Sequence, residues 1–447
     1  MAQPTTGDPL LLVHPLSFVR QQRGWSQQDL VNVIARRLNT AARREKASRW
    51  ERWGVVPDER TQLALAAELE VPAQQVRELG WPHWLPVGGG VDLALPWDRV
   101  GGLTMLDHTA GAAMLDRRGF MILGAGAVAG LAGEWLGLQP TRITPVLNGG
   151  RIGEDLAGVF EGRLPALRQM DATLGGGSVR ALVDAELRLV TDLLAKGSYS
   201  EAIGQRMFTI AAELGRIAGW ASFDAGYHAA AERYWVAALR SAHVAGDRAA
   251  GANILKCMSL QRVDTERSAE ALQLAQAAMT GARDAPARVR AMLAARQART
   301  HAVLGEAVDC ERMLAAAEQA MGRADDEATP PWAAYFDDAE FCAQVASCYL
   351  LLRRHEATDH WLTQALALQP KERSRDRATY LIWRADTVLQ LGDVDHACAL
   401  VGQAVPDIAM ARSVRNQRRL VDIHGRLAQH RGPAFTALDE QVRSLIA

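Results

Sequence analysis

The chain has 447 residues, 49% of them hydrophobic and 23% charged, which is ordinary for a globular protein with more than one domain. Its formal net charge is −1, so any affinity for nucleic acid must come from a local basic patch. The five cysteines form no Cys-x-x-Cys pair and have no histidine at ligand spacing, which argues against a zinc site and predicts reduced thiols in a cytoplasm.

The first clear elements are two short helices between Ser26 and Gly54. Ser26 is a good N-cap, with Asp29 three residues later in the first turn. Apolar residues then recur at helical spacing at Leu30, Val33, Ile34 and Leu38. Asn39 and Thr40 interrupt this pattern, and a second helix buries Ala47 and Trp50 before Gly54 ends it. This order predicts a helix-turn-helix, whose second helix enters the major groove of DNA.

The charge of this stretch supports that prediction. Between Arg36 and Arg52, seven basic residues stand against two acidic ones. An arginine can bridge the O6 and N7 atoms of guanine, and a carboxylate can accept a hydrogen bond from cytosine. The alternative interpretation is a solvated basic helix face with no nucleic-acid partner.

The residues also carry a family resemblance. Trp25-Ser26-Gln27, then Ser48-Arg49-Trp50-Glu51-Arg52, Gly54 and Pro57-Asp58 are similar to the pattern of the Xre/Cro-like repressor family, over about residues 14–80. The resemblance implies further helices at 16–23, 59–70 and 73–79. It places Gln27 against a phosphate. The complete set of predicted DNA contacts is Gln27, Arg43, Arg44, Glu45, Lys46, Arg49 and Arg52.

Two departures from the family pattern affect the register of the second helix. The connection before that helix is longer than usual, and Trp53 is inserted before the glycine. It therefore stays open whether Arg43 and Arg44, or Lys46 and Arg49, meet the bases.

Residues 81–90 combine Trp and Pro with three consecutive glycines, which is typical of a domain edge and linker. Residues 116–121 imitate a twin-arginine export signal, but the motif is internal and the apolar run after it is broken at Glu134. Gly124, Gly126 and Gly130 lack the spacing and the acidic residue of a dinucleotide loop. We expect instead a buried helix of small residues between two domains, or a dimer contact.

From about residue 180 the chain is nearly continuous helix, and it repeats. Five successive sets of small residues have gaps of 12 and then 7. They are Ala218, Ala230 and Ala237; Ser259, Ala271 and Ala278; Ala298, Cys310 and Ala317; Ala346, Thr358 and Ala365; and Ala385, Ala397 and Ala404. Paired antiparallel helices approach closely only where small side chains meet, so this spacing predicts stacked helical hairpins. Gly425, Ala437 and Ser444 could form a sixth set, and a non-repeating helical bundle is the alternative.

The repeats resemble the tetratricopeptide family, whose large positions are filled here by Leu214, Ile217 and Tyr234. The resemblance implies a concave face on the first helix of each hairpin that binds a peptide or a partner protein. The positions that match it are Asn253, Lys256, Arg299, Glu340, Asp386 and Gln390.

The sequence therefore predicts an all-α protein with a helix-turn-helix domain (14–84), a linker and middle helical segment (85–178) and a helical repeat domain (179–447). No catalytic signature is present, and we expect no enzyme activity, no metal and no cofactor. The predicted function is a cytoplasmic transcriptional regulator that binds operator DNA, forms a homodimer, senses a peptide or protein partner and does not contact a membrane. The alternative is an interaction scaffold that does not bind DNA.

Overall fold

A computed structural model describes residues 15–52, 55–82, 84–85, 91–112, 123, 125–140, 143, 149–325, 327–370, 372–411, 413–430 and 432–446. Within these residues the fold is all-α, as predicted, and the only β-type pairing is an isolated bridge between Arg151 and Ser198. No helix in the described part is both long enough and apolar enough to cross a membrane.

An N-terminal unit, residues 15–85, has a hydrophobic core of its own. Its helices are α1 (Pro15–Gln22), α2 (Gln27–Leu38), α3 (Arg44–Arg52), α4 (Glu59–Glu68) and α5 (Ala73–Leu79). Trp84, which the sequence placed at a domain edge, is fully buried in this core and donates to Gln62 over 2.9 Å. The unit therefore ends in a segment that folds back onto its own helices.

The start of α2 is fixed by a reciprocal cap. The Ser26 hydroxyl accepts from the Asp29 N–H, and the Ser26 N–H donates to the Asp29 carboxylate over 2.8 Å. These bonds satisfy backbone donors that a helix start leaves free. Asn39 ends α2 in the left-handed conformation, with φ of +50°, which asparagine tolerates better than most residues.

The remaining helices cover residues 99 to 446. They are α6 (Arg99–Ala112), α7 (Ala125–Gly137), α8 (Glu154–Leu174), α9 (Gly176–Lys196), α10 (Glu201–Asp224), α11 (His228–Ala245), α12 (Arg248–Asp264), α13 (Ser268–Gly281), α14 (Ala287–Val303), α15 (Ala307–Met321), α16 (Asp338–Leu351), α17 (His355–Leu368), α18 (Ser374–Gln390), α19 (Val394–Ala411), α20 (Val414–Leu427) and α21 (Pro433–Ile446). A short 3-10 helix, Pro331–Ala333, precedes α16.

Helices α10 to α19 form five consecutive hairpins, and neighbouring hairpins pack on one another. All fifteen small residues of the 12-and-7 pattern are at most 1% exposed. The prediction of stacked hairpins is therefore confirmed for these five sets. The proposed sixth set is wrong, because Gly425, Ala437 and Ser444 are exposed and α20 and α21 pack through Leu, Ile and Val side chains instead.

The turns of the five hairpins repeat as regularly as the small residues do. Each turn contains one residue with positive φ, two positions before its second helix begins. These residues are Gly226, Glu266, Gly305, Arg353 and Gly392. A left-handed backbone conformation favours glycine, yet Glu266 and Arg353 adopt it in two of the five turns. The turn geometry is therefore a property of the repeat and does not require glycine.

The two ends of the hairpin array meet. Arg375 on α18 donates to the Asp171 carboxylate on α8 over 2.9 Å, although the two residues are 204 positions apart in the chain. Arg415 on α20 pairs with Asp264 at the end of α12 over 2.8 Å, across 151 positions. Helix α8 also packs on α19. The array is thus closed, and we refer to α8–α21 as the repeat ring.

The segment before the ring is attached to the ring's outer helices. Arg240 on α11, only 1% exposed, donates to the backbone carbonyls of Leu93, Leu95 and Pro96 over 2.9, 2.6 and 2.9 Å. Its guanidinium also lies 4.7 Å from the ring centre of Trp97. The residues that the sequence interprets as a linker region therefore include a stretch that one buried arginine holds against α11.

Helix α7 contains two of the three glycines whose spacing does not fit a dinucleotide-binding loop. Gly126 and Gly130 lie on its exposed face, whereas Trp135 is fully buried and α7 packs against α13. The expected helix of small residues is present and half-buried. Gly124 and residues 116–121 of the apparent export signal lie outside the described residues.

All five cysteines are buried, and none of them is in a disulfide. They pack as small core residues of the ring, as their types permit.

Candidate functional site

The residues predicted to contact DNA stand on and just before α3. Arg43, Arg44, Glu45, Lys46 and Arg49 are all exposed. Within the described residues, none of the four cations forms an ion pair within 4 Å. They leave a cationic face whose guanidinium and ammonium groups are available to phosphates and base edges.

The other side of α3 holds this face in place. Ala47 is fully buried and Trp50 is 7% exposed, both within the core of the N-terminal unit. The inward residues alternate with the outward cations at helical spacing, which explains why a helix so rich in charge still packs. The geometry presents the basic side chains on one face of a short, anchored helix.

Glu51 is the buried charged residue of α3. Its side chain is 4% exposed and receives hydrogen bonds from Arg20 Nε over 2.7 Å and from Gln27 Nε2 over 2.8 Å. Burial favours the protonated carboxyl, but these hydrogen bonds outweigh it and hold the pKa of Glu51 below its ordinary value. One carboxylate thus links α1, α2 and α3.

Gln27 was assigned to a phosphate contact. In the structure its side-chain amide donates to Glu51, so its position relative to α3 is fixed from within the unit. Arg52 closes α3, but its side chain lies outside the described part, as do Trp53 and Gly54.

The six residues predicted to bind a partner occupy two environments. Asn253, Lys256 and Arg299 are 1%, 5% and 7% exposed, inside the repeat ring. Glu340 and Asp386 are partly exposed, and Gln390 is exposed at the end of α18. The first three therefore form a buried cluster inside the ring, whereas the other three lie nearer to solvent.

The interior cluster is held by polar and aromatic contacts. The Lys256 ammonium touches the Tyr335 hydroxyl and lies 3.4 Å from the Met292 sulfur. Burial lowers the pKa of Lys256 to about 8, and the nearby Arg296 and Arg216 act in the same direction. These are the surroundings of a cation that has been removed from water.

Glu340 and Asp386 are already engaged within the chain. Glu340 accepts from the Gln344 amide over 2.7 Å and from the Tyr380 hydroxyl, and burial raises its pKa. Asp386 pairs with Arg426. A partner that used either carboxylate would have to replace these contacts.

The sequence interpretation missed two residues of this interior. Arg296, 6% exposed, lies one turn before Arg299 on the same face of α14. Trp383 on α18 lies between two guanidinium groups, with Arg299 at 5.3 Å and Arg419 at 5.4 Å from its ring centre. Helical spacing from Arg299 was a signal for Arg296, whereas nothing local pointed to Trp383.

A comparison of the chain with models of known protein families and with curated proteins gives no match.

Proposed function

We propose that this protein is a cytoplasmic DNA-binding transcriptional regulator whose repeat ring acts as a sensor of a peptide or protein partner. One observation carries the proposal: the cations at positions 43, 44, 46 and 49 are exposed and form no ion pair with described residues, while the residues between them anchor α3. A surface selected only for solubility would gain from mixing charges of both signs. Four unpaired cations on one short stretch suit a polyanion such as DNA.

The sensor part of the proposal rests on the proportions of the chain. The N-terminal unit ends at residue 85, whereas the ring and its attached helices span residues 91–446. Hairpin repeats provide an inner surface larger than a DNA-binding unit needs, and repeat arrays commonly use that surface for binding. A homodimer would present two N-terminal units to half-sites about one DNA turn apart, and a ligand of the ring could change their spacing.

The test is DNA binding by the full chain, measured by fluorescence anisotropy on a pool of genomic fragments. We expect affinity to fall steeply with salt, because cations that bind phosphates release counterions. The double variant Arg44→Ala, Arg49→Ala should bind at least about tenfold more weakly, since each arginine contact contributes about 1–3 kcal/mol. Equal affinity in wild type and variant would favour the alternative, a protein-interaction scaffold.

The matched control removes two arginines from the ring. Arg283 and Arg312 have side chains 81% and 64% exposed, so Arg283→Ala with Arg312→Ala changes the net charge equally without touching α3. Its DNA affinity should match that of the wild type.

The same assay settles the register of α3. On a selected operator, the pair of residues that reads bases should lose sequence preference when replaced by alanine, whereas a phosphate-binding pair should lose affinity for all sequences alike. The comparison is between Arg43→Ala with Arg44→Ala and Lys46→Ala with Arg49→Ala.

A further inference from the structure

Arg296 is a buried guanidinium without a protein partner among the described residues. It is 6% exposed, and its Nε and Nη1 atoms are fully buried without a hydrogen bond. Buried arginines in proteins are paired almost without exception, because taking the charge out of water costs several kcal/mol. A planar fork of N–H donors is therefore displayed inside the repeat ring.

The nearest cations do not relieve this imbalance. Arg299, on the same face of α14, stacks on Trp383 at 5.3 Å and leaves its own Nε buried without a hydrogen bond. Burial lowers the pKa of Arg299 to about 10, and Arg296 adds to that effect. Among the described residues, the Lys256 ammonium contacts the Tyr335 hydroxyl and ring and the Met292 thioether.

Three carboxylates of the ring interior have hydrogen-bond partners other than Arg296. Asp264 pairs with Arg415 over 2.8 Å, and Glu213 binds Arg216 over 2.9 Å. Glu340 accepts hydrogen bonds from a tyrosine and a glutamine, and burial favours its protonated form. None of these three carboxylates hydrogen-bonds to Arg296 Nε or Nη1, although Asp264 and Glu340 lie near enough to favour the charged guanidinium.

Two hydrogen-bond acceptors on the neighbouring helices are also unfilled. The Asn253 Oδ1 atom, one turn before Lys256 on α12, is buried without a donor, and so is the Gln344 Oε1 atom on α16. A buried acceptor without a partner costs about 1–3 kcal/mol. A ligand that combines an anionic group with N–H or O–H donors would satisfy both kinds of atom.

We propose that Arg296, together with Arg299 and Lys256, forms an oxyanion-binding site inside the repeat ring, and that the ligand sensed there carries a carboxylate or a phosphate. The inference rests on the proposed sensor role of the ring and specifies its ligand. The guanidinium fork of Arg296 fits two oxygens of such a group at once, which a lysine cannot do. Arg296 anchors the anion, while Arg299 and Lys256 supply further positive charge.

The experiment measures binding to the full chain by calorimetry, with unfolding temperature as a second readout. The probes are inorganic phosphate, acetate and hexaglutamate, each compared with sodium chloride at equal ionic strength. We expect at least one of the three anions to bind and to raise the unfolding temperature more than chloride does. The effective probe identifies the source of the oxyanion as free phosphate, a free carboxylate or a peptide.

The variant Arg296→Met separates a ligand site from a structural role. It should weaken binding of the effective probe by about tenfold or more, the loss expected for a charge-assisted bidentate contact. Without a probe, its unfolding temperature should equal or exceed that of the wild type, because a buried unpaired charge is removed. Arg296→Lys, which keeps the charge and loses the fork, should bind with intermediate affinity.

The control variant is Arg312→Met on α15, whose exposed side chain lies on the outside of the ring. It should bind the probes as the wild type does. If none of the anions exceeds chloride, or if Arg296→Met binds as tightly as the wild type, the proposed site is wrong. Neither result depends on DNA, so the site can fail while operator binding stands, and the reverse also holds.

Discussion

Glu51 is a charged residue whose side chain lies on the buried side of α3 and not with the exposed cations. It lies between Trp50 and Arg52 in a sequence that reads as surface charge, yet its carboxylate is the most enclosed charged group of the N-terminal unit's ion pairs. Helices α1 and α2 also share an apolar core with α3, through Leu16, Leu30 and Trp50 among others. The exposed cations are therefore oriented by this core together with one buried acid.

Acid should loosen this unit through Glu51. The pKa of Glu51 in the folded protein is below its ordinary value of 4.5. Its contribution to stability is therefore fully present above pH 4.5 and is lost as the pH falls through the pKa of the folded state. Hydrogen exchange of α1 and α3, followed by mass spectrometry from pH 7 to pH 3, should show protection that decreases below about pH 4.5.

The variant Glu51→Ala should lose that protection already at neutral pH, by about 3 kcal/mol, because Arg20 is left part-buried without a counterion. Glu59→Ala is the control, since the Glu59 side chain is 65% exposed in its pair with Arg77. Protection that follows the same pH course in wild type and in Glu51→Ala would contradict the role assigned to this carboxylate.

Sequence reasoning recovered part of this site at the residue scale. The cap at Ser26 and the inward side of α3 follow from local spacing, so both were predictable. The hydrogen bonds of Glu51 to Arg20 and Gln27 join residues 31 and 24 positions away, and no local pattern encodes them.

Among the elements, α7 depends on two glycines of the ring. A Cβ atom at Gly251 would lie 2.6 Å from the Trp135 indole nitrogen, and one at Gly281 would lie 2.2 Å from its six-membered ring. The indole therefore fits where α12 and α13 carry no side chain. The small residues of the repeats thus serve two purposes, because some pack hairpins together and others receive α7.

Gly281→Ala should displace α7 and destabilise the ring by about 2 kcal/mol, the usual cost of overpacking a core. Gly322→Ala is the matched control, since Gly322 also lies at the C-terminal end of a hairpin's second helix and a Cβ there would meet nothing closer than 3.7 Å. That control should be neutral or stabilising by up to about 1 kcal/mol. Urea unfolding measures both, and equal midpoints for the two variants would contradict the docking of Trp135 described here.

The hairpins were the most predictable elements of the chain. Close approach of antiparallel helices requires small residues at fixed intervals, and a fixed interval survives changes in loop length. The turn residues with positive φ escaped detection because Glu266 and Arg353 occupy two of the five turns. A search for glycine would have found only the other three.

At the scale of the whole molecule, the main structural feature is the closure of the repeat ring. Arg375 and Asp171 are 8% and 7% exposed, and their contact joins the first helix of the ring to the last hairpin. The sequence predicted stacked hairpins but not their closure, because a repeat pattern specifies contacts between neighbours only. Closure depends on single long-range pairs that have no period, and Trp383 was missed for the same reason, since its contacts with Arg299 and Arg419 join different hairpins and helices.

Arg375→Ala should open the ring, because the buried Asp171 carboxylate then has no counterion. We expect a larger radius of gyration by small-angle X-ray scattering and faster hydrogen exchange in α8. Arg377→Ala is the control, since Arg377 on α18 pairs with Asp407 on α19 within a single hairpin. A wild-type scattering curve for Arg375→Ala, with unchanged exchange in α8, would show that the ring stays shut without this pair.

The meeting of α8 with α18 and α19 also restricts how this protein can change its length over evolution. An open solenoid gains or loses one repeat at its end or in its middle, because each repeat contacts only its neighbours. Here the deletion of one hairpin would move α8 and α18 out of alignment. Asp171 and Arg375 could then no longer pair. The number of hairpins is therefore fixed at five as long as the ring is closed. We expect natural variation in chain length to occur in the loops, such as the long connection between α15 and α16.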